Sequence, residues 1–417
     1  MQLIISLSAL LLSVMLVQMG IGALRPFDSI SGAVLGFTSV DIGLVASGHF
    51  VGFLGGCLIG PKLVFRAGHS RAFAIFTACG VISIIAHTIY ADAYYWTLAR
   101  IFGGFAVAGC YTVIESWLQA KARNKTRARV FSIYRISDFA GQILANSLIG
   151  VLTPASYISY NMLAMIMCLA LMPLAFTLSK EPTLPKTDIF QPFIAYEISP
   201  LATLGVVVAG VSSSAFGSIA PLFAKDLNMS YLEISYFLTT AVIGGIIVHP
   251  PAGFLADHFD RRFVLMVFSV LSTIVCLAIG SGIVDLAAHG YSAQLLFAFL
   301  FGLTTFPIYS LSAAHANDFA TPNQILNLSA SLIFFYAVGA IISPIVAGFF
   351  IGIQGILYLF IHISMAHIVL IICTIARSIV RPVPKDDKPY VYYPRTTMFI
   401  ANIVRARNLK NKRDKHQ

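Results

Sequence analysis

Long apolar runs separated by short polar breaks set the pattern of this chain. Twelve of them follow one another, at 3–24, 35–60, 72–91, 94–120, 128–152 and 157–179, then at 199–223, 231–256, 263–285, 291–314, 325–350 and 353–377. A hydrocarbon core of about 30 Å takes about 20 helical residues, so each run is long enough to cross a bilayer. A membrane β-barrel would alternate apolar and polar positions in segments of about ten residues, which is not the pattern here. The prediction is therefore an all-α integral membrane protein with twelve transmembrane helices. The first run has no basic residue before it and outlasts the core of a signal peptide, so it reads as a retained helix.

Between the sixth and seventh runs the chain turns polar and proline-bearing (KEPTLPKTDIFQPFIAYEIS, 180–199). That break predicts an N-terminal six-helix half over 1–180, a cytoplasmic linker over 181–198, a second six-helix half over 199–380 and a basic cytoplasmic tail over 381–417. Halves arranged in parallel place a substrate site at their interface near the bilayer midplane.

Composition agrees with the pattern: 58% of residues are hydrophobic, 11% are charged, and the mean hydropathy is +0.84. No soluble domain is built that way. The net charge of +10 would raise nucleic acid as a partner for a soluble protein, but the positions of the cations argue against it. Of the 27 basic residues, all but Arg25, Arg100, Arg135 and Lys225 fall in or flank the even-numbered connections, the central linker or the tail. Cytoplasmic loops collect lysine and arginine, so both termini are expected in the cytoplasm. The six cysteines lie inside runs and form no CxxC pair, which suits small packing residues.

Four charges interrupt the fourth and fifth runs: Arg100, Glu115, Arg135 and Asp138. A charge at the centre of a membrane helix costs at least about 2.5–3.5 kcal/mol, so each needs a partner, water or a function. Counting helical rise from the expected ends puts Glu115 about 7 Å and Arg135 about 10 Å from the cytoplasmic side, a candidate pair. The same count puts Arg100 and Asp41 each about 9 Å below the outer side, a second candidate pair. Arg135, Asp138, Gln142 and Asn146 follow helical spacing and share one stripe, as the lining of a water-filled cavity would. A carboxylate that passes protons must change between a desolvated and an ion-paired environment, and Glu115 and Asp138 are the candidates. His249, with His49 and His315, offers an alternative titrating group. His362 and His367 are five apart and lack the spacing of a one-face metal pair, so no metal site is expected.

The second run carries Gly48, Gly52, Gly56 and Gly60 at intervals of four, a stripe without side chains on which another helix can lie close. The eleventh run repeats the interval with Gly339, Ser343 and Ala347. Ser212, Ser213 and Ser214 in the seventh run, and Thr304, Thr305 and Tyr309 in the tenth, are possible hydrogen-bonding groups of the second half.

Gly253, Asp257, Arg261 and Arg262 between the eighth and ninth runs, and Arg100, Gly103, Gly104 and Gly109 in the fourth, resemble motifs of the major facilitator superfamily of secondary transporters. The resemblance covers residues 1 to about 380. His258 stands where that family usually has a basic arginine or lysine, Asp260 where it has glycine, and the corresponding first-half loop keeps Gly68 and Arg71 without the acidic position. Glu115, Ser116, Trp117 and Leu118, with Gly68, His69, Arg71, Ala72 and Phe73, look like the bacterial YcaD-like group within it. The resemblance implies a six-plus-six fold, alternating access, a conformational latch at the 253–262 loop, contact between the second and eleventh helices across the halves, and an arginine at 100 that assists proton coupling. By family analogy Gln18 and Tyr111 join the cavity.

No phosphate loop GxxxxGK[ST], no GxSxG elbow and no HExxH helix is present, so neither a nucleotide-driven pump nor an enzyme is expected, and no cofactor. The expectation is a monomeric secondary transporter of a small solute, coupled to protons. A multidrug or metabolite efflux antiporter is the alternative, although Gly141 and Gly150 in the fifth run are not followed by the Gly-Pro of drug/proton antiporters. A non-transporting sensor that kept the fold is another. In the tail, Met398, Phe399, Ile400, Ile403 and Val404 precede a cluster of lysines and arginines, which suits either an amphipathic helix on anionic lipid or a disordered basic end.

Overall fold

The computed structural model describes residues 2–121, 127–175, 191–321 and 324–380. The basic tail, most of the central linker and the connection at 122–126 lie outside the described residues. In order, the elements are α1 (Gln2–Val17), a π turn (Gln18–Gly22), α2 (Leu24–Val34), α3 (Ser39–Ala67), α4 (His69–Ala86), α5 (Ala93–Lys121), α6 (Arg127–Ile149), α7 (Tyr157–Leu169) and α8 (Leu171–Ala175). Then follow α9 (Ile194–Ile198), α10 (Pro200–Asp226), α11 (Tyr231–His258), α12 (Arg261–Gly280), α13 (Leu286–Thr305), α14 (Ile308–Phe319), α15 (Ile325–Gln354) and α16 (Tyr358–Val380).

Among the described residues, eleven helices are long and apolar enough to cross a membrane by length and composition. The run at 128–152 is not among them, although it is helical as α6, because its polar stripe and basic start lower its hydropathy. Large apolar side chains such as Ile82, Phe102, Met165, Ile274 and Ile372 are more than half exposed, an outward apolar surface that only lipid covers.

Local chemistry sets the helix ends. The Thr38 hydroxyl accepts from the Asp41 amide while the Asp41 carboxylate accepts from Thr38, a capping box that starts α3. Ser230 and Glu233 build the same box at α11. Gly68 turns α3 into α4 with φ +82°, a left-handed conformation that side chains with a Cβ resist.

The first run does not end near 24. After the π turn the helix resumes and continues as α2 to Val34, leaving only residues 35–38 as the turn into α3. Arg25, Pro26 and Asp28 look like a polar break, but each is taken up by the interior, so the helix has no reason to stop.

One apolar core draws only on residues between Leu7 and Leu174. Two others draw mainly on residues after 194, joined by Phe50, Cys57 and Ala108 in one and by Ile30 and Ile149 in the other. The two sets of helices meet where α3 packs on α15 and α10, α6 on α11, and α2 on α10. Ser29 Oγ donates to the Ser218 carbonyl and Ser47 Oγ to the Ile341 carbonyl, the latter at 2.6 Å. A Cβ on Gly43 would lie 2.2 Å from the Pro344 carbonyl oxygen, and one on Gly348 at 2.2 Å from that of Ser39. These close approaches concentrate at the end holding the turn at 35–38.

The glycine stripe of α3 faces α5 instead. A Cβ at Gly52 would sit 1.8 Å from the Ile101 carbonyl oxygen, while Gly48 and Gly56 would meet the carbonyl oxygens of Thr97 and Phe105, each at 2.7 Å. The nearest atom to a Cβ at Gly60 is 3.5 Å away. The stripe is therefore a seam within one set of helices, and the α3–α15 contact is made by Gly43, Ser47 and Gly348, on another face of α3. Gly339 turns its bare face to α10, where a Cβ would lie 2.3 Å from the Val207 carbonyl oxygen.

Candidate functional site

A cavity of about 230 Å³ lies between the two sets of helices. The π turn, α2, α3, α5 and α6 line it from one side, and α10, α11, α15 and Phe306 from the other. Its polar wall includes Gln18, Arg25, His49, Arg100, Tyr111, Arg135, Asp138, Gln142, Asn146, Ser213 and His249; Phe50, Phe53, Phe139, Phe216, Phe306 and Tyr336 supply aromatic surface.

The stripe Arg135, Asp138, Gln142 and Asn146 faces this cavity along one side of α6. Arg135 Nη1 donates to Asp138 Oδ2 at 2.8 Å, one turn further along the helix. Tyr111, from α5, donates its hydroxyl to the other carboxylate oxygen at 2.6 Å. The Arg135 guanidinium also lies 4.8 Å from the Phe139 ring centre, a cation–π contact on the cavity side. Asp138 is thus held by two donors from two helices, with only 5% of its surface exposed.

Glu115 is fully buried and does not line the cavity. Tyr134 donates its hydroxyl to Glu115 Oε1 at 2.7 Å. The expected Glu115–Arg135 pair is replaced by two separate contacts, because Arg135 finds a carboxylate on its own helix and Glu115 finds a neighbouring phenol. Each buried carboxylate therefore holds one tyrosine hydroxyl.

The second expected pair is also replaced. Asp41 belongs to the exposed capping box of α3, whereas Arg100 is 1% exposed with its Nε 3.5 Å from Asp28 Oδ2. His87 Nε2 lies 3.3 Å from the same Asp28 oxygen, and Tyr160 donates to the other at 3.1 Å. His87 stacks on Tyr160 at 5.4 Å, with Trp96 closing the cluster. Asp28, His87 and Tyr160 carry no sequence motif. The signal that could have found Asp28 is the spacing of Leu24, Phe27, Ile30 and Val34, which continues a helix through the polar stretch.

Arg25, one residue past the apolar run at 3–24, lines the cavity with its guanidinium 5.8 Å from the Phe50 ring centre. Gly217 on α10 makes room for it, since a Cβ there would lie 2.7 Å from Arg25 Nη1. His249 Nδ1 is hydrogen-bonded to the Gly245 carbonyl within α11. Of the other serines and threonines, Ser213 lines the cavity, Ser212 bonds Val208 and His367, and Thr304, Thr305 and Tyr309 lie away from it. His362 and His367 bond Ser343 and Ser212, and among the described residues no group of side chains could hold a metal ion.

The 253–262 loop forms a compact ionic knot. Arg261 sits 3.8 Å from Asp257, donates to the Ala314 carbonyl at 2.9 Å and pairs with Asp318 at the end of α14. Asp260 caps α12, accepting from the Arg262 amide at 2.9 Å and pairing with its guanidinium at 3.0 Å. Burial raises the Asp260 carboxyl, but hydrogen bonds from the Arg262 side chain and backbone outweigh it and leave the group below its usual range. Asp260 thus does useful work at a position where the resembling motif has glycine. Gly253 precedes the knot on α11, within the same turn-rich end.

The family model described as Major Facilitator Superfamily matches residues 10–199 and 202–404. A protein of Escherichia fergusonii described as the uncharacterized MFS-type transporter YcaD is 23% identical over 306 residues, covering 73% of this chain and 78% of its own length. A Salmonella arizonae protein of the same description is 23% identical over 342 residues, with 80% and 86% covered. Among solved structures, a mutant of the nucleoside transporter NupG superposes with a TM-score of 0.73 at 15% identity, covering 89% of this chain and all of that one (100%). A bacterial homologue of the human lysosomal transporter Spinster, crystallised in an inward-facing and occupied conformation, gives 0.70 at 13% identity, with 90% and 94% covered. A D-xylose–proton symporter gives 0.64 at 13% identity, with 92% and 99% covered.

Proposed function

This chain belongs to the major facilitator superfamily, in its YcaD-like group, and on that premise we propose that it is a twelve-helix secondary transporter that moves a small solute by alternating access and couples the movement to protons. The observation that carries the proposal is the cavity itself: it is enclosed by helices from both sets, and its charged wall is the Tyr111–Asp138–Arg135 network. In this reading α6 counts as the twelfth membrane helix, its polar stripe covered by the cavity and not by lipid. Both termini face the cytoplasm of a bacterial cell and the protein resides in the inner membrane. The close approaches at the 35–38 end then seal the outer side, so the cavity belongs to an inward-facing or occluded state.

Asp138 is the proton-coupling group in this proposal. When it binds a proton it no longer balances Arg135, and the guanidinium is released toward the cavity and its solute. When the proton leaves, the 2.8 Å pair re-forms and the solute loses its partner. Tyr111 holds the carboxylate in position through its 2.6 Å hydrogen bond. Glu115 with Tyr134 forms a second, deeper carboxylate–phenol unit that can exchange protons with the cytoplasmic side. Arg100, backed by Asp28, is assigned to the outer end of the cavity, and Gln18, Gln142, Asn146 and His249 to solute contacts along it.

The test is flux in proteoliposomes with a pH-sensitive dye inside. Asp138→Asn is expected to abolish solute-driven pH change while solute counterflow continues, because exchange needs no net proton movement. Unaltered proton flux with Asp138→Asn and Glu115→Gln combined would remove proton coupling from the proposal, and absence of counterflow for every solute tried would remove transport.

A further inference from the structure

The charged wall of the cavity is uneven. Among the described residues, three guanidiniums line it, those of Arg25, Arg100 and Arg135, with one carboxylate, that of Asp138. Arg135 pairs with Asp138 at 2.8 Å, while Arg25 and Arg100 lie at the end where α2, α3 and α5 meet. Arg100 is 1% exposed, its Nε lies 3.5 Å from Asp28 Oδ2, and its Nη1 is buried without a hydrogen-bond partner in the structure. His49, on the facing helix α3, is 7% exposed, and its Nδ1 is likewise buried without one. Buried donors are almost always satisfied, and a guanidinium N–H is among the most costly to leave otherwise. Arg25 completes the set because Gly217 has no Cβ to displace it. Beside these donors the wall is aromatic, with Phe50 under Arg25 and Phe216 across from it on α10.

We infer that the transported solute is a small organic anion, a carboxylate whose acid group is received by Arg100, Arg25 and His49 and whose apolar body rests on Phe50 and Phe216. The inference deepens the transport proposal and rests on it. Guanidinium groups suit a carboxylate because their donors match its two oxygens in one plane. A cationic solute would meet three arginines. A neutral polyol could use the amides of Gln142 and Asn146 but would leave Arg100 Nη1 without charge complement. A cavity of about 230 Å³ has room for a compact anion, such as a short hydroxy acid or a benzoate-sized aromatic acid.

The experiment is a thermal-unfolding screen of the purified full chain in detergent, with lactate and benzoate against their uncharged amides, lactamide and benzamide, and against benzylamine, all at matched ionic strength. At least one carboxylate is expected to raise Tm with a saturable dependence on concentration, its amide and the amine having no effect. Arg25→Gln should abolish the shift while leaving the Tm without ligand within a few degrees. Equal stabilisation by acid and amide, stabilisation by the amine alone, or no shift with either acid in the wild-type chain would overturn the inference without reference to any variant. Proteoliposome flux separates the two levels. An anion-specific shift without flux keeps the anion site and sinks the transport proposal, whereas counterflow of a neutral solute with no anion-specific shift keeps transport and sinks the anion site.

Discussion

Replacing Asp28 by asparagine asks whether Arg100 depends on the helix that the polar stretch at 25–29 conceals. Arg100 Nε and Asp28 Oδ2 are 3.5 Å apart and both side chains are at most 3% exposed. At an effective dielectric of about 20, unit charges at that distance attract by about 5 kcal/mol, and the cost of removing both from water offsets part of this. Breaking a buried pair from one side costs about 3–5 kcal/mol because the remaining charge stays buried alone. Asp28→Asn should therefore destabilise by about 3–5 kcal/mol, and it also weakens the acceptor of Tyr160 and the partner of His87. Asp41→Asn removes only an exposed cap contact and should cost about 1 kcal/mol or less. The decisive quantity is the coupling in a double-mutant cycle, measured by reversible unfolding in mixed detergent micelles. Asp28→Asn with Arg100→Gln should show a coupling of about 2–3 kcal/mol, and Asp41→Asn with Arg100→Gln one within about 0.5 kcal/mol of zero. A larger coupling for Asp41 than for Asp28 would refute the assignment and restore the pairing that helix-depth counting suggests.

The glycine stripe gives an internal comparison: Gly52→Ala, which meets a backbone carbonyl, should destabilise by about 1–3 kcal/mol or more, while Gly60→Ala should be neutral or stabilise by up to about 1 kcal/mol, both read from the unfolding midpoint. Equal effects would mean that α3 and α5 are not in close contact. Gly68→Ala, at φ +82°, should cost about 1–2 kcal/mol by the same measurement, and no loss would show that the turn can adopt another conformation. The folded state holds the Asp260 carboxyl below its usual pKa, so the stability it adds is present above its unfolded value near pH 4 and disappears as pH falls through the lower folded value. The Tm difference between the wild type and Asp260→Asn should accordingly be constant from pH 7 to about pH 5 and shrink below about pH 4; a difference that grows on acidification would contradict the Arg262 contacts as its source.

What was legible in the sequence follows from which forces act locally. Runs of apolar residues report the bilayer directly, and the periodicity of a helix let the Arg135–Asn146 stripe be recognised as one face before any neighbour was known. The run ends were less legible. Arg25 and Asp28 look like a loop because polarity alone does not say whether a charge faces water or a partner 72 residues away, and the Asp28–Arg100 contact is such a case. Depth counting then paired Arg100 with the nearest carboxylate it could see, Asp41, whose actual partner is three residues before it in its own capping box. The Glu115–Arg135 assignment went astray for the same reason, since matched depth is necessary for a contact but says nothing about azimuth around each helix axis.

The continuous helix through 25–29 has a mechanistic consequence. Were Arg25 and Asp28 part of a surface loop, the outer end of the cavity would be closed by apolar packing alone. Because the helix runs on to Val34, Arg25 lines the cavity and Asp28 backs Arg100, and both arginines also border a second, much smaller pocket lined by Phe37, Ile42 and Val45 near the 35–38 turn. The two arginines thus stand between the main cavity and the end where the two sets of helices are in closest contact. An anion drawn to them would sit against the closure that has to open for exchange with the other side, so binding would change the charge balance at Asp28, and Asp28 is bonded to α5 through Arg100 and to α7 through Tyr160. Asp28 and Tyr160, which carry no sequence motif, would then connect occupancy of the site at Arg25 and Arg100 to the contacts that hold its outer end shut.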